Sequence, residues 1–135
     1  MTFIKLFSEE HSKISIAESA LVVHIDGCDC TTLNECYALL SKRLYFPDYF
    51  SNNLDSLSEV LGDLSWLHQD KIILFIDNYN DFLSAETDIK RQTFLQLLND
   101  AIAEHKSKKE KRLKIYLTDT EKSKIDLSLI ESNTV

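Results

Sequence analysis

Lys71-Ile72-Ile73-Leu74-Phe75-Ile76-Asp77 is a run of five apolar residues, three of them isoleucine, shut off by an acid. Its length and β-branched content predict a strand, and it is far too short to cross a bilayer. Two similar runs, Leu21–Ile25 and Leu113–Leu117, also end at an acid or a polar residue. Helical patterns separate the three. Thr32 with Glu35 three residues on reads as a capping box, and Leu33, Cys36, Tyr37, Leu40 and Leu44 follow at helical spacing. Pro47 breaks that pattern. Ser51-Asn52-Asn53 then offers a new start signal, after which Leu54, Leu57, Leu61 and Leu64 line one face. A third helix is expected from about Thr87 to His105, with Phe94, Leu97, Leu98, Ala101 and Ile102 inward. Strands alternating with helices imply crossovers, hence an α/β fold with a small three-stranded parallel sheet packed with helices.

The ends fit this scheme less directly. Phe3–Phe7 and Ile14–Ala17 are two candidates for an extra N-terminal edge strand. The tail from Thr120 is polar, with Ile125, Leu127, Leu129 and Ile130 as its only sizeable apolar residues, and Lys106–Arg112 (KSKKEKR) reads as a solvated basic connector. A chain of 135 residues that is 44% hydrophobic makes a single domain with a real core. Two glycines and one proline argue against a turn-rich sandwich or barrel. The start, MTFIKLFSEEHSK, lacks the features of a secretory signal, so a cytoplasmic protein is expected. Cys28, Cys30 and Cys36 are odd in number, which rules out a complete disulfide framework. Together with His24 they fit no zinc spacing well, so small buried thiols and no metal or other cofactor are expected.

The net charge of −7 is unevenly spread. Residues 44–104 hold 3 basic and 11 acidic side chains, hence −8, whereas residues 105–135 hold 8 and 5, hence +3. An acidic centre repels phosphate, which disfavours direct binding of nucleic acid or an anionic membrane as the main role. Asp55, Glu59 and Asp63 follow one another at four-residue intervals on one helix face. Like charges so spaced cost a helix a few tenths of a kcal/mol per pair, roughly. An acid in the first turn suits the helix dipole, which accounts for Asp55 but not for the other two. Tyr49 and Phe50 place aromatic surface just upstream, Phe50 expected in the core and Tyr49 exposed at its hydroxyl end. Aromatic anchors beside a charged cluster suit a protein interface; on composition alone a solvated acidic face is the favoured reading.

The run Phe46-Pro47-Asp48-Tyr49-Phe50-Ser51-Asn52-Asn53-Leu54-Asp55-Ser56-Leu57 resembles the signature of the barstar family, the intracellular ribonuclease inhibitors. The family's pattern there is an apolar residue, Pro-Glu-Tyr-Tyr, a small residue, then Asn-Leu-Asp-Ala-Leu. The likeness extends more loosely from about Ala20 to Thr118, leaving residues 1–19 and 119–135 as extensions of a single domain. It implies a non-enzymatic inhibitor, an immunity protein of a bacterial toxin–antitoxin pair, whose acidic loop and helix imitate RNA phosphates in a basic nuclease. A 1:1 complex of monomers is the corresponding expectation. Glu59 falls on the family's main inhibitory acid, Asp55 on an acid at the start of the binding helix, Tyr49 and Asn53 on contact-loop residues, and Asp100 on a further acid facing the enzyme. Asp63 would extend the negative field. Ser51 replaces a glycine, Asn52 an acid and Ser58 a tryptophan; Glu59 is one methylene longer than the family's aspartate, and Gly62–Asp70 is longer than usual. These departures suit an acidic plug fitted to a nuclease other than barnase.

Two other readings have residues behind them. Asp26, Asp77 and Asp119 each follow a strand, where parallel sheets gather their sites, and could hold Mg²⁺ for phosphoryl transfer in a receiver-like domain. No glycine-rich phosphate loop accompanies them. A non-inhibitory adaptor for some other basic protein is the third. The histidines, His11, His24, His68 and His105, are scattered and form no catalytic signature.

Overall fold

A computed structural model describes residues 1–8 and 19–133. Its elements run β1 (Lys5–Phe7), β2 (Ala20–Asp26), α1 (Leu33–Arg43), α2 (Leu54–Asp63), β3 (Lys71–Asp77), α3 (Asp88–Lys108), β4 (Arg112–Thr118) and α4 (Glu121–Asn133). One parallel sheet is ordered β1-β4-β3-β2. The expected three-stranded sheet is thus widened to four. Phe3–Phe7 supplies the added edge strand through Lys5–Phe7, which pairs with Tyr116–Thr118; Ile14–Ala17 lies outside the described residues.

Burial explains the reading of β3. This strand lies between β2 and β4, and all of Ile72–Ile76 is buried, so both its faces had to be apolar. Ile72, Leu74 and Ile76 join Val23, Ile25, Leu113, Ile115 and Leu117 on one face, where side chains from all four helices complete the main core. Ile73 and Phe75 point to the other face with Phe7. There His24, Phe75 and Tyr116, neighbours across three strands, stack with ring centroids 4.6 and 5.1 Å apart.

Local chemistry sets the helix starts. Thr32 and Glu35 form the expected capping box, and Asn53 and Thr87 cap α2 and α3 through side-chain oxygens. The third helix runs three residues past His105, and the connector after it is only partly solvated: the Lys111 ammonium donates to the carbonyls of Leu67 and Gln69, each at 2.7 Å. The largest departure is the tail. Residues 121–133 form α4, whose Ile130 is buried in the main core and whose Asp126 is 1% exposed. Asp126 accepts from Arg91 Nε at 2.7 Å and Nη2 at 3.1 Å and from the Tyr79 hydroxyl at 2.6 Å. Burial alone would raise the Asp126 pKa, but these donors hold it below the usual carboxylate value.

At the carboxyl ends of the strands, Gly27 permits a close approach. A Cβ there would stand 2.3 Å from the Asn78 carbonyl oxygen and 2.9 Å from that of Asp77. No described helix is long and apolar enough to cross a membrane.

Candidate functional site

The loop before α2 is held by its own polar side chains. Asn53 Oδ1 accepts from the Ser56 amide at 2.8 Å while its Nδ2 donates to the Ser51 carbonyl at 3.2 Å. The Ser51 amide donates to Ser56 Oγ at 3.0 Å, and Ser51 Oγ donates to the Tyr49 carbonyl at 3.1 Å. The one left-handed residue in this stretch is Asn52, at φ 50°, a conformation asparagine tolerates better than most residues. Ser51 is not at positive φ, so the missing glycine carries no backbone penalty here.

Aromatic packing supports the loop from beneath. Phe50 packs edge-on against Phe46 and Tyr37, with ring centroids 4.9 and 6.0 Å away. Trp66 stands edge-on to Phe46 at 6.0 Å and donates to the Leu44 carbonyl at 3.0 Å. Tyr49 is 53% exposed. This is the expected division, with Phe50 packed inward and Tyr49 presented to solvent. The Tyr49 hydroxyl is pushed above its ordinary pKa by partial loss of solvent and then by the Asp63 and Glu59 carboxylates.

On α2, Leu57, Val60, Leu61 and the C-cap Leu64 face the core, which leaves Asp55, Ser58, Glu59 and Asp63 exposed. Asp55 and Ser58 lean toward α3. With Asp100 they line a groove of about 660 Å³ between α2 and α3, where Leu54, Leu97 and Ile130 add apolar surface. Asp100 accepts from Gln96 Nε2 at 2.9 Å. Asp55, Ser58 and Asp100 thus share the groove, while Glu59 and Asp63, exposed on α2, act on Tyr49 through their charge. Among the described residues, none of Asp55, Glu59, Asp63 and Asp100 forms an ion pair.

Sequence reading missed the far wall of the groove. Ile89, Thr93 and Gln96 recur at three- and four-residue intervals along α3 up to the expected Asp100, and Ile89 is 74% exposed. That stripe was visible in the helical period, but attention to the inward face passed over it.

The three strand-end acids do not assemble into a ligand set. Asp26 accepts from the Cys28 amide and from Asn78 Nδ2, both at 2.9 Å, and the Asn78 bond first, then the Cys28 amide, lowers its pKa. Asp77 lies 3.1 Å from His24 Nδ1, and Asp119 lies 3.4 Å from Lys124. Among the described residues no group of three or more such side chains is placed to hold a metal ion. Cys30 and Cys36 are buried thiols, and their mutual hydrogen bond and burial hold Cys36 well above the usual thiol pKa. Cys28 departs from the expectation of burial: it is exposed, and its hydrogen bond to Asp81 helps push its pKa up to about 12.

A family model described as Barstar (barnase inhibitor) matches residues 20–118, which takes in all four acids and the whole loop. No curated protein matches the chain at a significant level.

Proposed function

This chain belongs to the barstar family, and from that premise we propose that it blocks the active site of a basic ribonuclease with the Tyr49–Asn53 loop and the exposed acids of α2 and α3. The observation that carries this reading is the set of four carboxylates without cation partners among the described residues, beside a loop already locked in shape. A helix gains little from Asp55, Glu59 and Asp63 in a row. A partner with lysine, arginine and histidine arranged for phosphate would supply what they lack.

In this mechanism Glu59 and Asp55 occupy places that RNA phosphates would fill, with arginines binding them through paired N–H donors. Tyr49 covers one side of the contact, while Ser51, Asn52 and Asn53 present polar groups at fixed positions. Ser58 leaves room where a tryptophan would stand, and Asp63 and Asp100 extend the negative potential that speeds encounter. The hydrogen-bonded loop lowers the ordering cost of binding. The complex is a 1:1 pairing of monomers in the cytoplasm, with no cofactor, and its role is that of an immunity protein toward a nuclease toxin.

Binding measured against a basic ribonuclease encoded beside this chain provides the test. The Asp55→Ala, Glu59→Ala double variant should weaken capture by about thirtyfold or more, whereas Lys124→Ala should leave it unchanged. Equal binding by the wild type and the double variant would remove this surface from the interface.

A further inference from the structure

The acidic surface has a basic counterpart. Because β1 pairs with β4 only over Tyr116–Thr118, the outer edge of β4 from Arg112 to Ile115 has no neighbouring strand among the described residues. Residues 1–4 instead turn toward α3. There the buried Asn99 accepts from the Phe3 amide at 2.6 Å and donates to the Met1 carbonyl at 3.1 Å. A cleft of about 910 Å³ opens between this segment, the β4 edge and the last turns of α3. Its size falls within the range of small-molecule pockets, about 300–1,000 Å³.

Six lysine and arginine side chains line it against two carboxylates. Lys111 is committed to the carbonyls of Leu67 and Gln69. Lys5, Lys106, Lys109, Arg112 and Lys114 form no ion pair among the described residues. The Lys114 pKa is lowered, first by Lys71 and then by partial burial, Lys5, Arg112 and Lys106. Crowding like charges in a concavity costs stability unless an anion sits among them.

His105 lines the cleft, is 2% exposed, and has Nε2 at 2.8 Å from the Leu61 carbonyl. A carbonyl only accepts, so Nε2 carries the hydrogen there, and Nδ1, shielded from solvent and without a partner among the described residues, is an acceptor that leaves the holding of an anion to the cations. Thr2 Oγ1, likewise shielded, has no partner among the described residues. Buried polar atoms are seldom left so.

We propose that this cleft binds a polyphosphate-bearing small molecule, with the phosphate chain held among Lys5, Lys106, Arg112 and Lys114. The cleft shares no lining residue with the groove between α2 and α3, so this inference stands apart from nuclease inhibition.

Calorimetric titration of the full chain with tripolyphosphate and with ATP at low salt tests it. Saturable binding is expected, weakened roughly tenfold or more by Arg112→Glu or Lys114→Glu and unchanged by Lys124→Glu. Tighter binding of ATP would assign the site a nucleoside as well, and equal affinities would assign it the phosphate chain alone. Should a thermal melt show a charge-reversal variant unfolded, Arg112→Gln and Lys114→Gln replace them. The proposal is overturned if neither compound saturates, if only a long RNA binds, or if binding survives both substitutions. Nuclease capture by these variants should equal that of the wild type.

Discussion

Asp126 shows how much one side chain can decide. It lies in a stretch of polar sequence, yet it is the carboxylate that neutralises the buried Arg91 and accepts from the buried Tyr79 hydroxyl. The Arg91 pKa is raised chiefly by its hydrogen bonds to Asp126, and that of Tyr79 is raised by burial and then by the same carboxylate. Asp126→Ala would leave the buried Arg91 with only the exposed Asp88, 3.0 Å from Nη1, as an ion partner. We expect a loss of about 3–5 kcal/mol, the usual penalty for removing one partner of a buried pair, read from urea unfolding. Tyr79→Phe leaves the ion pair in place and should cost only about 1–2 kcal/mol. Similar losses from the two substitutions would show that Asp88 alone suffices to match Arg91.

At the scale of elements, α2 illustrates a start signal that doubles as part of the proposed binding surface. Asn53→Ala removes the cap from the Ser56 amide and the bond to the Ser51 carbonyl, so a loss of about 1 kcal/mol is expected. Nuclease binding should weaken as well, because the loop is freed. Thermal melts and titrations on the same variant check both. This signal was legible in Ser51-Asn52-Asn53, as were the three main strands, the Thr32–Glu35 box and the outward acids of α2. The two-residue alternation of β4 and the unbroken apolar run of β3 follow directly from burial on one or both faces. Helix α4 was not legible, because its pattern is inverted. Ile125 and Leu129 are 53% and 39% exposed, while Ser123 and Asp126 are buried together with Ile130. Any reading that assumes apolar residues point inward takes such a segment for a solvated tail. The far wall of the groove was lost differently, since Ile89 and Gln96 gain meaning only once α2 lies beside them. The exposure of Cys28 depends likewise on the turn that Asp26 caps, which no spacing of cysteines reveals.

Across the whole molecule, charge and acid stability are linked. Asp26 and Asp126 both have folded-state pKa values below the ordinary carboxylate value. Each binds its proton more readily when unfolded, so each stabilises the fold above the unfolded pKa and loses that contribution as pH falls through the folded one. Urea midpoints should be nearly level from pH 6 to 7 and decline below about pH 4. Asp126→Asn should flatten that decline; an unchanged slope would place the acid sensitivity elsewhere. The burial of Asp126 also bears on the order of events during synthesis. Chains emerge at about 5–20 residues per second, and N-terminal portions tend to fold first. Here Asp126 is translated after all four strands, so until α4 leaves the ribosome the buried Arg91 has only the exposed Asp88 on its own helix as an ion partner.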